Sequence, residues 1–282
     1  MPPRQSFPSH PRVRDAAALG FTSSLGPFAA NGIMPGFHAM AEDYGVSFVA
    51  VQQSLTIYLF TYAFFSLVAG SFSDSYGRRP TFIGGMLLFA AASVGAAFSQ
   101  SLWALYGWRL LQGIGAAVGQ VVTQAIVRDN WSGPEAANVN GMIAFFFAAG
   151  PALAPVVGGQ IVMHFGWHAV FLFLMVYSLS IAFFIYFRIP ETLNAADRSA
   201  FNLSVICSNY AKGLTHGAFM TGVVAHGILF MGGILYSAGS ADFVIKVMGL
   251  DVDEFGWLSS FSRPLPVPGA PFVWPNVCAP NA

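Results

Sequence analysis

Charge is the scarcest property of this sequence. Lys+Arg 12 and Asp+Glu 12 make only 9% of its 282 residues, against about 25% in soluble domains. So few charges cannot solvate the exterior of a soluble fold of this size, which argues against a soluble enzyme and against a disordered chain. The formal net charge is zero, so nothing in the charge balance points to nucleic acid as a partner. Cysteine is nearly missing as well. Cys207 and Cys278 give neither a disulfide framework nor a zinc pattern. Ser/His protease spacing, H-E-x-x-H and a phosphate-cradling glycine loop are all lacking. No enzyme activity, cofactor or metal is expected.

What is present is apolar. Hydrophobic residues make up 55% of the chain, and Phe alone numbers 28. Stretches long enough to cross about 30 Å of hydrocarbon, roughly 20 residues each, fall near 16–37, 49–71, 81–99, 103–126, 138–163, 167–188 and 219–239. The class is an all-α polytopic membrane protein with the lipid bilayer as its solvent. Residues 1–15 read as a cytoplasmic tail, 16–188 as a six-helix bundle, and 189–218 as a polar cytoplasmic linker. Residues 219–261 read as helix seven and the beginning of helix eight. Ala39-Met40-Ala41 looks like a signal-peptide cleavage site, but the stretch before it is long and carries Asn31 and Pro35.

Basic residues set the orientation. Arg4, Arg12, Arg14, Arg78, Arg79, Arg128, Arg188, Arg198 and Lys212 fall on the side of the N-terminus, and only Lys246 on the other. That bias places the N-terminus in the cytoplasm. The eighth apolar run, Phe255–Phe261, aborts. Residues 262–282 then carry Pro264, Pro266, Pro268, Pro271, Pro275 and Pro280. Proline removes backbone donors that lipid cannot replace, so this tail is expected not to span.

The sharpest local pattern is Gly70-Ser71-Phe72-Ser73-Asp74-Ser75-Tyr76-Gly77-Arg78-Arg79-Pro80, in the turn between helices two and three. Gly70 suits close helix approach, Gly77 a tight turn, and Pro80 the first turn of a helix. Asp74 can pair with a guanidinium or accept from a helix end. An ordinary positive-inside loop is the plainer reading. The segment resembles the cytoplasmic loop signature of the major facilitator superfamily. Arg109-Leu110-Leu111-Gln112-Gly113-Ile114-Gly115 resembles the fourth-helix signature of that superfamily. The run from Gly150-Pro151 through Pro155 to Gly158-Gly159 is similar to the fifth-helix motif of its drug exporters. Ala125–Asp129, Gly166-Trp167 and Pro190-Glu191-Thr192-Leu193 are similar to the Bcr/CflA branch.

The resemblance implies a major facilitator fold of two six-helix bundles around a central cavity. It implies a multi-pass protein of the bacterial inner membrane. It also implies efflux of small amphipathic drug-like compounds by alternating access, of the drug:proton antiport type. A non-transporting remnant of such a transporter, its frame lost within helix eight, is the alternative reading of the tail.

On helix four, Arg109, Gln112, Ala116, Gln120, Thr123 and Gln124 fall within about 120° of one another at helical spacing. A cation inside a membrane should face the bundle interior or water. The stripe reads as a cavity wall or proton relay, or else as packing around a capping arginine. Gly150, Ala154 and Gly158 form a small-residue ridge, with Pro151 and Pro155 marking a pivot; plain tight packing fits equally. Ser24, Pro27, Asn31, Pro35 and His38 share a face of helix one. In related exporters an aspartate commonly stands where this chain has Asn31. None of the seven expected spans contains Asp or Glu. His226 is left as the embedded group with a suitable unperturbed pKa, or as a packing residue. Tyr58 and Tyr62 could stack on a substrate or pack between helices.

Overall fold

The computed structural model describes residues 13–193, 198 and 201–242. The chain divides into two compact units, 1–207 and 208–282, and each is described by itself. The expected aborted eighth helix at 255–261 and the Pro-rich tail lie outside the described residues.

The described residues are helical throughout, with short turns between helices. Helices α1 (Val13–Asn31) and α2 (Phe37–Tyr44) are separated by a 3₁₀ turn at Met34–Gly36. Then come α3 (Phe48–Tyr76), α4 (Arg78–Ala97), α5 (Leu102–Asn130), α6 (Gly133–Phe165) and α7 (Trp167–Arg188), followed by α8 (Leu203–Thr215) and α9 (Gly217–Asp242). Among the described residues, five helices, α3 to α7, are long and apolar enough to cross a membrane.

Three expectations need correction. The first apolar stretch, expected as one span over 16–37, is broken: α1 stops at Asn31, and Pro35 sits in the 3₁₀ turn. Proline has no N–H to continue the helical ladder. The break separates Pro35 and His38 from the face that carries Ser24, Pro27 and Asn31. The first expected span, on α1, falls outside the set of five, because Thr22, Ser23, Ser24 and Asn31 dilute it. The last, at 219–239, lies within α9, a 26-residue helix whose sequence stays apolar past Ile228 through Leu229, Phe230 and Met231. The polar connection 189–218 is not plain linker, because α8 occupies Leu203–Thr215 within it.

Helix α5 is the axis of the first unit, packed between α3 and α4, while α1 lies along α6 and α7 along α4. Leu19, Leu25, Phe82, Met86, Phe89, Leu105, Phe171 and Leu174 fill the space between them, each at most 1% exposed. Large apolar side chains also face outward, among them Trp103, Phe60, Phe145 and Phe183. In water such a surface would aggregate; in a bilayer it is the solvated surface. Helix starts at Ser47 and Ser101 are capped by their own hydroxyls, which accept from the N–H of Ala50 and Ala104.

The α1–α6 contact depends on the absence of side chains. A Cβ at Gly158 would lie 1.9 Å from the carbonyl oxygen of Gly32. Gly150 and Ala154, each one turn apart on the same ridge, are buried with it. Pro151, in contrast, is exposed, while Pro155 and Gly159 are partly buried.

One end of the unit is pinned by polar bonds to α2. Trp167 Nε1 donates to Asp43 at 2.5 Å, and the Tyr44 hydroxyl pairs with Ser99 Oγ at 2.6 Å. Desolvation by burial is the main cause that raises the Tyr44 phenol above its ordinary pKa.

Candidate functional site

The opposite end gathers Arg78, Arg79 and Arg128, and is called the basic end below. The turn motif reaches its geometry through Gly77, whose φ of +103° favours glycine. A Cβ there would also stand 2.5 Å from Glu191 Oε2. Because the chain turns so tightly, α4 begins at Arg78 with its N-terminus against the segment that follows α7. Glu191 Oε1 accepts from the backbone N–H of Arg78 at 2.9 Å, and Oε2 from that of Arg79 at 3.3 Å. A carboxylate here satisfies orphan donors and complements the helix dipole.

The Arg78 side chain, 9% exposed, pairs with Asp74 one turn earlier. It also donates to Asp129 at 3.0 Å and to Ser73 Oγ at 2.6 Å. Asp129 also accepts from the Thr192 hydroxyl at 3.1 Å. Arg79 donates to the carbonyl of Tyr186 and lies over its ring, 4.8 Å from the centroid. The ends of α3, α4, α5 and α7 are thus tied together by one cluster. Asp74, Gly77, Arg78 and Arg79 take part as the motif suggested. Pro80 sits at the third position of α4 and is exposed. Gly70 is not a point of close approach: a Cβ would meet only Val121, at 3.7 Å. Asp129, Glu191 and Thr192, quoted above only for their likeness to a branch of the family, are the partners that sequence spacing did not reveal.

The second constellation lies within the hydrophobic layer. Arg109 is 0% exposed. Its NH1 donates to the Ala29 carbonyl at 3.2 Å and to Gln112 Oε1 at 3.0 Å. Gln112 Nε2 donates to Ser93 Oγ at 2.8 Å, and Ser93 donates on to the carbonyl of Phe89. The guanidinium also lies over the Tyr58 ring at 4.5 Å and near the Phe171 ring at 5.9 Å. One side chain therefore touches α1, α3 and α7 from α5 and reaches α4 through Gln112. Arg109 Nε and NH2 have no hydrogen-bond partner, nor do Gln120 Oε1 and Thr123 Oγ1.

The polar stripe thus splits in two. Arg109 and Gln112 face the interior of the bundle and bond to it, whereas Gln120 and Gln124 are partly exposed. Tyr58 is 1% exposed, its hydroxyl donates to the Gly26 carbonyl at 2.9 Å, and its ring is covered by Arg109. No ring face is left in this arrangement for a substrate. Tyr62 stacks on Tyr58 at 6.3 Å and stays partly exposed. Asn31 donates to the Pro27 carbonyl at 2.8 Å, at the last turn of its own helix. His226 is exposed on α9 in the second unit. Among the described residues no group of His, Cys, Asp and Glu could hold a metal.

Comparison with known proteins supplies the family. The model of the Major Facilitator Superfamily matches residues 19–273. The bicyclomycin resistance protein homolog of Haemophilus influenzae is 30% identical over 239 residues, covering 85% of this chain and 60% of that protein. Multidrug resistance protein D of Escherichia coli is 32% identical over 169 residues, covering 60% of this chain and 43% of that protein. The chain therefore spans no more than about 60% of the length of these two relatives. Among solved structures, the peptide transporter POT in complex with sulfate superposes with a TM-score of 0.59 at 17% identity, over 92% of this chain and 51% of that one, a likeness of fold alone. With the family model covering most of its length and the signature residues clustered at the basic end and on α5, the chain belongs to the major facilitator superfamily.

Proposed function

We propose that these helices serve a drug-efflux transporter of the Bcr/CflA type, which moves small amphipathic compounds outward across a bacterial inner membrane by alternating access. The observation that carries the reading is the Arg109 constellation. Through Ala29, Gln112, Ser93, Tyr58 and Phe171 it joins five helices into one body. Rocking of one bundle against another needs each bundle to move as a unit. The cluster of Arg78 with Asp74, Asp129 and Glu191 is the gating element at the rim. The ridge of Gly150, Ala154 and Gly158 lets α6 pack closely on α1, which keeps α6 part of the same body. The partly exposed Gln120 and Gln124 are the contacts for substrate or water, and Arg109 holds the wall behind them. The names of the relatives, bicyclomycin and multidrug resistance proteins, support the substrate class.

Proton coupling belongs to the same proposal. With no Asp or Glu in the expected spans, the coupling group is His226 or a carboxylate outside them. The test joins this chain to the C-terminal bundle of the Haemophilus influenzae relative in a strain stripped of its main exporters. Lower ethidium accumulation and higher bicyclomycin tolerance than vector, both abolished by a protonophore, are expected. A fusion present in the membrane that changes neither would overturn efflux; efflux indifferent to the protonophore would overturn antiport alone.

A further inference from the structure

We propose that the outer face of α7 binds an anionic phospholipid of the leaflet at the basic end, with the phosphate on Arg188 and an acyl chain in the groove above it. A groove of about 670 Å³ runs along this helix, lined by Val176, Leu179, Ser180, Phe183, Phe187 and Arg188. Its side chains face outward: Val176 is 55% exposed, Phe183 67% and Phe187 64%. The Ser180 hydroxyl is spent on the Val176 carbonyl, 2.7 Å away, so the wall presents hydrocarbon and ring. From Val176 to Arg188 the helix rises ~18 Å, close to the ~15 Å of one hydrocarbon leaflet. The cation therefore stands at headgroup level when the groove spans its leaflet.

The chemistry separates this face from its rivals. Arg78 is committed to two carboxylates, and Arg79 to the Tyr186 carbonyl and ring. Arg188 makes no ion pair or side-chain hydrogen bond among the described residues, and it is exposed. A second groove of similar size, about 640 Å³ between α3 and α5, is lined by Phe60, Phe64, Trp103 and Leu110 and holds no charged residue. Apolar length with a terminal cation matches a phospholipid with a net negative head, and matches neither a neutral lipid nor a soluble anion. A guanidinium can meet the phosphate of either lipid through paired N–H donors. The choline cation of phosphatidylcholine cancels the net charge that draws an arginine, whereas phosphatidylglycerol keeps it.

The experiment uses the 282-residue chain in mild detergent, stripped of lipid and then given phosphatidylglycerol or phosphatidylcholine of identical chains. Bound lipids are counted by native mass spectrometry. Phosphatidylglycerol should be retained about fivefold over phosphatidylcholine, the equivalent of ~1 kcal/mol for one arginine at an anionic surface. Arg188→Glu should abolish the preference, Arg188→Lys should keep it, and Phe183→Ser should lower retention of both lipids. Glycerol phosphate, the head without chains, should not compete. A preference that survives Arg188→Glu, is lost equally in Arg188→Lys, or is competed away by glycerol phosphate would overturn the site.

Discussion

Arg78 Nε donates to Asp129 Oδ2 at 3.0 Å, which ties the first residue of α4 to the last turn of α5. The same guanidinium holds Asp74, but the two carboxylates are not equivalent: Asp74 is 45% exposed and Asp129 25%. Water screens the first pair more than the second. Asp129 carries the Thr192 hydroxyl in addition. Asp129→Asn should therefore cost about 2 kcal/mol and Asp74→Asn about 1 kcal/mol. Thermal unfolding in detergent reads the order directly, and an equal or reversed pair of losses would contradict it.

Glu191 acts on α4 without belonging to it. Its carboxylate accepts from the N–H groups of Arg78 and Arg79, and also from Leu193 at 3.1 Å. Glu191→Ala should cost about 1 kcal/mol, the usual worth of a helix N-cap. Glu191→Gln keeps one acceptor for the Arg78 N–H but loses the charge and the second acceptor, the longer bond from Arg79 at 3.3 Å, so it should cost somewhat less than alanine, about 0.5–1 kcal/mol. Hydrogen exchange at the start of α4 should quicken in the order wild type, Gln, Ala.

Small residues on α6 should differ sharply from a small residue on α3. At Gly158 a Cβ meets the Gly32 backbone, which cannot rotate away, while at Gly70 it meets the Val121 side chain at ordinary contact distance. Gly158→Ala should lower the melting temperature by several degrees, with overpacking costing about 1–3 kcal/mol. Gly70→Ala should leave stability within about 0.5 kcal/mol. Should Gly158→Ala melt like wild type, the α1–α6 contact is looser than described.

The fold was legible because its signals are local. The apolar runs, the turn at Gly77 and the ridge at Gly150, Ala154 and Gly158 all sit within one or two helices, where period and spacing reveal them. The break after Asn31 was less legible. One Pro in a long apolar run reads equally as a kink or a stop, and spacing alone does not decide between them. The partners of the site were least legible. Glu191 lies 113 residues from the N–H of Arg78 it accepts from, and Asp129 lies 51 residues from the Arg78 guanidinium. No periodicity links such positions. Spacing did place Arg109 and Gln112 on one polar face, but a helical wheel cannot say which neighbour that face meets. It meets Tyr58, Ala29 and Ser93, all of them from other helices.

Orientation is testable with the two ends described. Ser75 lies at the basic end, and Glu42 is exposed on α2 near the Asp43–Trp167 bond at the other. In a background carrying Cys207→Ser and Cys278→Ser, Ser75→Cys should be reached by thiol reagents only from the cytoplasm. Glu42→Cys should be reached from outside, as the bias of basic residues requires. The reverse labelling would invert the topology.

Arg109 poses the sharpest question, because it packs like a core residue and is charged like a functional one. It fills space among Tyr58, Phe171 and the α1 backbone, and two of its guanidinium nitrogens have no hydrogen-bond partner. Arg109→Ala removes volume and leaves Gln112 Oε1 without its donor, at a cost of about 3–5 kcal/mol. Arg109→Met leaves the same acceptor unpaired but keeps most of the volume and removes a buried cation with two unpartnered nitrogens, whose desolvation cost offsets that loss. If packing were the whole role, Arg109→Met would melt near wild type and, in the two-bundle fusion, still lower ethidium accumulation. The expected result differs. Arg109→Met should melt within a few degrees of wild type, Arg109→Ala far below it, and both fusions should fail to export. A cation that can be lost without loss of stability, but not without loss of efflux, is held there for transport. Normal efflux by Arg109→Met would instead assign the residue to packing and leave Gln120 and Gln124 as the candidate polar contacts of the stripe.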